Sequence, residues 1–371
     1  MLLRFWVENY WCFRDRVEID FTDKRNYSFG KDCVRGDLLE KVIITGSNGA
    51  GKTSFGYALV DITSTLTGFT RDIGQANELC FINGDSGRDR ATFHYEFSHR
   101  GSVVTYEYSK TSPYRIAREA LYIDRAVAFE YDLDDMGSAV FDAKAMGLRS
   151  VDPGAIDGET AFLRSLCAAA NPGEYSPLRT VMSFGESTLY YRAMWRMDDH
   201  IGQIDADMDV SGYVISNGLV DDLQAFLRDD CGIDVRVGAE GGRLVVLTGS
   251  KSIPFFQAAS RGTAIMCRLF VWTRRTRGRD ALIFFDDFDD MFDYRAAENV
   301  MGRIIEGSSL QCVFATHNLG LISSDRMRPD CCFLMNNYQL RSLSSLTDKN
   351  LRRGHNLSKM LRDGEFSQDG S

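Results

Sequence analysis

One short segment, Gly46–Thr53 (GSNGAGKT), constrains the fold of this chain more than any other part of the sequence. It fits the pattern G-x-x-x-x-G-K-[ST], in which glycines let successive backbone N–H groups converge on phosphate oxygens. The β-branched run Lys41–Thr45 comes before it, and an apolar segment with helical spacing follows from Thr53 to about Leu66. A strand, a glycine-rich turn and a helix in this order predict a phosphate-binding loop inside an α/β fold.

The side chains of this loop have distinct expected roles toward ATP and Mg²⁺. Lys52 is expected to reach the β- and γ-phosphates and to act in catalysis as well as in binding. The Thr53 hydroxyl is expected to be a ligand of Mg²⁺. The sequence predicts nucleotide contacts from Asn48, Gly49, Ala50, Gly51, Lys52, Thr53 and Ser54.

Two later apolar strands are expected to carry the other catalytic groups. Asp286 follows the run Ala281–Phe285 and is predicted to hold Mg²⁺, while Asp287 comes next, where a carboxylate can polarise the attacking water. His317 follows the run Gln311–Ala315 and is predicted to sense the γ-phosphate. The alternatives are a solvated acidic turn for the two aspartates and a structural role for the histidine.

The remaining pattern divides the chain into three predicted regions. Residues 1–154 carry the phosphate-binding loop and alternating segments typical of an antiparallel meander, residues 155–231 are predicted to be a mostly helical insertion, and residues 232–371 carry the later motifs. The predicted meander strands are Phe93–Phe97, Val103–Tyr108 and Ala120–Asp124. In the last region we predict a hairpin of Ile233–Val237 and Arg243–Leu247, and helices from about Gly262 to Trp272 and from Tyr294 to Glu306.

Composition narrows the classes of partner and of site. The chain has 371 residues and a formal net charge of −9, which argues against a dedicated nucleic-acid binder. Its cysteines form no C-x-x-C pair, so a zinc ribbon is not indicated. No apolar run is long enough to span a membrane, and we expect a cytoplasmic protein. The cluster Arg274, Arg275, Arg277 and Arg279 fits either a nucleic-acid contact or, more simply, a solvated loop or dimer salt bridges.

The order of these motifs resembles the heads of ABC-type ATPases of the RecF- and SMC-like branch. Within that branch, the chain is most similar to bacterial AAA-family ATPases related to OLD and Septu-type phage-defence ATPases. The segment Val7–Asp15 resembles the branch's first strand and turn, which lie near the adenine. The segment Phe256–Thr263 stands where these proteins carry a degenerate signature motif, with Ser260, Gly262 and Thr263 at the matching positions.

This resemblance implies an α/β P-loop NTPase of the ABC ATPase head type, with a mixed sheet core, an antiparallel β subdomain and a helical insertion. It also implies a head-to-tail homodimer or higher oligomer, in which the signature helix of one subunit grips the γ-phosphate bound to the other. A plain helix N-cap by Ser260 is the alternative. Related ATPases usually carry a glutamate where this chain has Asp287, and the shorter side chain predicts slow turnover.

The function that the resemblance implies is an ATPase that serves as the sensor or scaffold subunit of a bacterial anti-phage defence system. Only a short segment follows His317, and no nuclease motif occurs elsewhere, so we expect a separately encoded effector such as a nuclease or toxin. A RecF-like DNA-binding clamp in repair is the alternative, although the acidic balance and the lack of coiled-coil heptads weigh against it. A transporter ATPase is disfavoured because the signature is degenerate.

Overall fold

Two seven-stranded sheets organise the part of the chain that the structure describes. The structure is a computed structural model that describes residues 1–68, 80–173, 175–192, 200–202, 209–275, 281–290, 294–307, 310–322 and 326–366. The first strands are β1 (Leu2–Glu8), β2 (Val17–Asp20), β3 (Val34–Arg35), β4 (Leu38–Leu39), β5 (Lys41–Thr45), β6 (Ala91–His99), β7 (Ser102–Ser112), β8 (Arg115–Ile123), β9 (Ala126–Asp132) and β10 (Val140–Phe141). The later strands are β11 (Leu189–Arg192), β12 (His200–Ile201), β13 (Val237–Glu240), β14 (Arg243–Thr248), β15 (Lys251–Pro254), β16 (Leu282–Asp286), β17 (Gln311–Thr316), β18 (Cys332–Asn336) and β19 (Gln339–Ser342).

The described α-helices are mostly short, and all but the last lie between these strands along the chain. They are α1 (Lys52–Thr67), α2 (Phe162–Ala170), α3 (Pro177–Ser187), α4 (Val210–Ser216), α5 (Val220–Ala225), α6 (Phe255–Ala258), α7 (Arg261–Arg275), α8 (Tyr294–Gly307) and α9 (Leu357–Arg362). None of them combines the length and the apolar character that a membrane span requires.

The central sheet is mixed and has the order β12-β11-β16-β17-β5-β18-β19. Its five inner strands run parallel, and the edge strands β12 and β19 pair antiparallel. Every residue of β5, β16 and β17 is buried, as expected for the strands of a parallel sheet covered on both faces. The predicted mixed sheet core is confirmed, and the phosphate-binding loop lies between β5 and α1.

The second sheet is antiparallel throughout and has the order β10-β9-β8-β7-β6-β1-β2. In β6, buried and less buried residues alternate, with Ala91, Phe93, Tyr95 and Phe97 on the buried face. The predicted antiparallel subdomain is therefore confirmed, and it extends beyond the predicted meander because β1, β2, β9 and β10 also join it.

Helix α1 and one glutamine side chain connect the two sheets. The Tyr95 hydroxyl of the antiparallel sheet donates to the carbonyl of Ala58 in α1 at 3.0 Å, while a Cβ on Gly56 would lie only 2.5 Å from the Phe284 ring of the central sheet. The Gln311 amide accepts from Leu2 N and donates to Leu2 O, both at 2.8 Å. This side chain therefore satisfies both backbone groups of the buried Leu2 at the point where the two sheets meet.

Helix α2 begins at a buried carboxylate of the antiparallel sheet. Glu119 accepts hydrogen bonds from the backbone N–H groups of Phe162 and Leu163 at 2.7 and 2.9 Å. It also accepts from the hydroxyls of Tyr106 and Tyr131, both at 2.9 Å. Since the first N–H groups of a helix have no partner inside the helix, Glu119 satisfies two of them and fixes α2 against the sheet.

The structure differs from the predicted secondary structure in two details. The segment 155–231 does contain helices, but β11 within it is a strand of the central sheet, paired in parallel with β16. The predicted hairpin strand Ile233–Val237 lies too early, because the structure pairs β13 with β14 across a two-residue turn at Gly241 and Gly242. Both glycines have positive φ (56° and 75°), which a two-residue hairpin turn of this kind requires and which fixes the strand register. The division into three regions remains a prediction.

Candidate functional site

The loop Gly46–Thr53 is shaped by glycines, either because a side chain would not fit or because the backbone φ is positive. A Cβ on Gly46 would lie 2.4 Å from the Met335 carbonyl oxygen of β18. Gly49 and Gly51 have φ values of 77° and 107°, a region that favours glycine. A Cβ on Gly51 would also meet the Phe13 ring at 3.0 Å. The N-terminal turn, which we expect near the adenine, therefore packs against this loop.

Lys52 is buried at the start of α1 and points back over the loop. Its ammonium group donates to the carbonyl oxygens of Gly46 at 2.8 Å and Ser47 at 3.2 Å. Burial lowers the pKa of Lys52, and the negative charge of Asp287, followed by that of Asp286 and Asp289, opposes this effect. These carbonyl contacts keep the Lys52 ammonium group inside the loop. A phosphate that replaced the carbonyls would give this ammonium group a stronger, charge-assisted hydrogen bond.

Asp286 lies at the end of β16 and is fully buried against the loop. Its Oδ2 accepts hydrogen bonds from the Thr53 hydroxyl and from the Tyr190 hydroxyl, both at 2.8 Å. Its Oδ1 is also buried and has no hydrogen-bond partner among the described residues. Burial, and next the charge of Asp287, raise the pKa of Asp286 to about 6, although Tyr190, Thr53 and Arg192 favour its ionised form.

These groups fit a divalent cation. A buried carboxylate oxygen without a partner, next to a threonine hydroxyl, supplies the hard oxygen ligands that Mg²⁺ prefers. Thr53 and Asp286 would hold the ion, as the sequence predicts. In nucleotide hydrolases Mg²⁺ neutralises charge that develops on the β- and γ-phosphate oxygens.

The residues after Asp286 place three more carboxylates near the same edge of the sheet. Asp287 has a left-handed backbone conformation, with φ of 48°, and its side chain is mostly buried. The buried Asp289 accepts a hydrogen bond from the Thr316 hydroxyl at 2.5 Å. His317 is half exposed, and its Nε2 lies 3.8 Å from the Asp290 carboxylate. The structure thus brings the ends of β16 and β17 together beside the loop.

Tyr190 and Arg192 are site residues that the sequence analysis missed. Both belong to β11, and residues two apart on a strand point to the same face. Arg192 lies beside Asp286 in the register of β11 and β16. Its Nε is 3.5 Å from Asp286 Oδ2, and its Nη2 is 3.5 Å from Asp287 Oδ2. No local motif marks this strand, so its contribution was visible only once the strand pairing was known.

The signature residues lie at the start of α7. The Ser260 hydroxyl accepts a hydrogen bond from Thr263 N at 3.2 Å and lies 2.8 Å from the Thr263 hydroxyl, as in a helix N-cap. Within the described residues, no hydrogen bond joins Ser260, Gly262 or Thr263 to the loop Gly46–Thr53. A role toward a nucleotide on another subunit therefore stays a prediction.

Several residues raised by the sequence lie outside the described residues. They are Gln75, which precedes the segment Cys80–Asn83 and is a candidate for the Q-loop glutamine of related ATPases, and Arg277 and Arg279 of the basic cluster. The described arginines of that cluster make local contacts: Arg274 pairs with Asp222 at 3.1 Å and also lies over the Phe270 ring, while Arg275 lies over the Tyr213 ring.

Comparison with known proteins gives a partial match and several remote structural similarities. Residues 197–323 match the family model described as "AAA domain, putative AbiEii toxin, Type IV TA system", and this segment contains Asp286, Asp287 and His317. No curated protein is significantly similar to the chain. The matched segment spans less than half of the chain, and the loop Gly46–Thr53 lies outside it.

Three solved structures of SMC heads are similar to this chain. The SMC head domain from Thermotoga maritima has a TM-score of 0.44 and 13% identity, covering 92% of this chain and 98% of that chain. An SMC head bound to the C-winged helix domain of ScpA has a TM-score of 0.46 and 12% identity, covering 92% of this chain and 96% of that chain. An SMC head with an extended coiled coil, bound to the C-terminal domain of ScpA derived from Pyrococcus furiosus, has a TM-score of 0.47 and 10% identity, covering 98% and 99%.

Proposed function

We propose that this chain binds Mg²⁺-ATP at the loop Gly46–Thr53 and hydrolyses it slowly. One observation carries this proposal: the Thr53 hydroxyl and Asp286 meet at 2.8 Å, with a buried Asp286 oxygen left without a partner among the described residues. A purely structural aspartate at this depth would be expected to have both oxygens satisfied. The arrangement is the one that a cation-assisted phosphoryl transfer needs.

In this proposal, each group has a distinct role. Lys52 moves from the loop carbonyls to the phosphates, Thr53 and Asp286 hold the cation, and Asp287 orients the attacking water. His317, at the end of β17, contacts the γ-phosphate. Because an aspartate side chain is one methylene shorter than a glutamate side chain, Asp287 orients the attacking water less well than a glutamate would. Slow turnover follows.

We further propose that ATP clamps two copies of the chain head to tail, with Ser260, Gly262 and Thr263 completing the partner's site. The exposed position of Ser260 at the start of α7 is compatible with this arrangement. The clamped form would serve as sensor or scaffold in an anti-phage defence system and control a separate nuclease or toxin. This role is supported by the resemblance to phage-defence ATPases and by the toxin named in the description of the matched family model.

ATP binding and single-turnover hydrolysis test the enzymatic proposal. We expect Lys52→Ala to abolish ATP binding, and Asp286→Ala to abolish the Mg²⁺-dependent part of it. Asp287→Asn should bind ATP normally but hydrolyse it at least about 100-fold more slowly, because it loses the base that orients water. Arg179→Ala, which removes an ion pair with Glu186 on α3 and none of the proposed site residues, is the control. An Asp287→Asn variant as active as the wild type would remove Asp287 from the chemistry.

The same proteins distinguish a sensor or scaffold ATPase, which dimerises with ATP, from a DNA-binding clamp. The Asp287→Asn protein should form a stable dimer with ATP and remain monomeric with ADP, as measured by light scattering after size-exclusion chromatography. DNA should leave the ATP hydrolysis rate of the wild type unchanged. Stimulation by DNA, with binding that weakens steeply as salt rises, would favour the clamp instead.

A further inference from the structure

The guanidinium group of Arg192 spans the two carboxylates at the end of β16. Its Nε lies 3.5 Å from Asp286 Oδ2 and its Nη2 lies 3.5 Å from Asp287 Oδ2. About a third of the Arg192 side chain is exposed, whereas Asp286 is fully buried. Strand pairing sets Arg192 opposite Asp286, so this contact follows from the register of the sheet.

Arg192 also balances the negative charge of the two carboxylates. Asp286 and Asp287 are adjacent carboxylates in a mostly buried position, and such a pair is unfavourable without a nearby cation. Lys52 is held by the carbonyls of Gly46 and Ser47, so Arg192 is the cation that bridges the two acids in the described structure. A divalent cation at Asp286 would compete with this guanidinium for the same carboxylate.

We propose that Arg192 is a positioning residue with two alternating partners. Without nucleotide it neutralises both Asp286 and Asp287 and keeps the acids in place. When Asp286 binds the divalent cation, Arg192 gives up its contact with Asp286 and keeps its contact with Asp287. This holds the short Asp287 side chain in the orientation that water activation needs. The inference rests on the proposed function for its second half and on the contacts of Arg192 alone for its first half.

A guanidinium suits this role better than an ammonium group. Its planar fork offers several N–H donors and can contact two carboxylates at once, whereas lysine carries a compact point charge. Arg192→Lys should therefore preserve neutralisation of the acids but orient Asp287 less well. Arg192→Ala should lose both.

The decisive test measures metal binding and turnover on the same variants. Binding of Mn²⁺ without nucleotide is followed by electron paramagnetic resonance of the free ion, with Asp286→Asn as the background. We expect Arg192→Ala to bind Mn²⁺ about threefold to tenfold more tightly, because the competing cation is gone. Its kcat for Mg²⁺-ATP should fall about 100-fold, with KM changed less than about threefold, the loss typical of removing one electrostatic group.

The two readouts move in opposite directions, which a merely structural role would not produce. A misfolded variant would lose both metal binding and turnover. Arg192→Lys, which keeps the positive charge, should fold normally and show a turnover between those of the wild type and Arg192→Ala. The proposal is overturned if Arg192→Ala binds Mn²⁺ no more tightly than the wild type, including the case in which neither exceeds the background. It is also overturned if Arg192→Ala turns over ATP at the wild-type rate. Should the wild type fail to bind ATP, the proposed function falls, and the Mn²⁺ measurement still decides the competition at Asp286.

Discussion

Buried acidic side chains in this protein differ mainly in how completely their oxygens are satisfied. Glu119 accepts four hydrogen bonds, and Asp330 forms a two-pronged pair with Arg328, with N···O distances of 3.0 and 2.6 Å. Asp286 keeps one buried oxygen without a partner among the described residues. The carboxylates whose oxygens all have hydrogen-bond partners stabilise the fold. The carboxylate with an oxygen that lacks a partner is the one expected to bind an ion.

His94 gives a residue-scale prediction of pH dependence. Its ring stacks on Trp6 at 4.7 Å, and its Nδ1 and Nε2 lie 2.8 Å and 3.3 Å from the carboxylates of Glu107 and Glu96. Burial alone would lower the pKa of His94, but the hydrogen bonds and charges of the two glutamates outweigh it, and the pKa lies above its ordinary value. The charged groups beside this cluster include Arg118, which pairs with Glu107, Arg4, which pairs with Glu96, Asp20, which acts on Glu96, and Arg16, which lies over the Trp6 ring.

Because the folded protein binds this proton more tightly than the unfolded chain, the protonated form stabilises the fold. The stabilisation is complete below the ordinary histidine pKa of about 6.5 and is lost as pH rises through the higher pKa of the folded state. We therefore expect the free energy of unfolding of the wild type to exceed that of His94→Gln most at about pH 6 and less as pH rises. Urea unfolding across this range measures the difference. A difference independent of pH would contradict the prediction.

At the scale of elements, helix α1 depends on glycine for its approach to the central sheet. Glycine inside a helix costs about 1 kcal/mol relative to alanine, so Gly56 has a compensating reason. The reason is the Phe284 ring of β16, which a Cβ at position 56 would meet at 2.5 Å. The same close approach brings Lys52 and Thr53, at the start of α1, to the end of β16.

Gly56→Ala should therefore be destabilising even though alanine is the better helix former. We expect the overlap with a fully buried ring to cost about 3 kcal/mol, which exceeds the helix-propensity gain and leaves a net loss of about 2 kcal/mol. Chemical unfolding measures this loss. Gly84→Ala is the matched control, because a Cβ there would meet nothing within 4 Å. A Gly56→Ala variant as stable as the wild type would mean that α1 can shift away from β16 without cost.

For the whole molecule, buried polar contacts help to join the two large sheets. The Gln311 side chain pairs with both backbone groups of Leu2 in a fully buried position. Further along α1, Asp61 pairs with Lys110 of β7. These contacts tie the antiparallel sheet to the sheet that carries the candidate site.

Gln311→Leu tests this connection. Leucine has a similar volume but leaves the N–H and C=O of Leu2 buried and unpaired, which should cost about 2 to 5 kcal/mol in all. The variant should unfold at lower urea concentration than the wild type, measured together with the control Gln339→Leu, an exposed position on β19. Equal loss in both variants would show that the polar contact at the junction contributes little.

The sequence by itself determined the elements whose pattern is local. The strand before Gly46, the loop with Lys52 and Thr53, and helix α1 are consecutive in the chain, so their order fixes their geometry. The continuous apolar runs of β16 and β17 indicated buried parallel strands, and they end at Asp286 and just before His317. The turn at Gly241 and Gly242 was also readable in principle, because two adjacent glycines favour a tight hairpin, but the predicted strand was shifted away from it.

Only the tertiary structure decided which distant side chains meet these local elements. Tyr190 and Arg192 reach Asp286 because β11 pairs with β16 in one particular register, and strand pairing between distant segments leaves no local signal in the sequence. Thr53, Tyr190 and Arg192 all contact Oδ2 of Asp286, so Oδ1 is left without a hydrogen-bond partner among the described residues. Local patterns encode the phosphate loop, whereas the balance of charge around it arises from long-range packing.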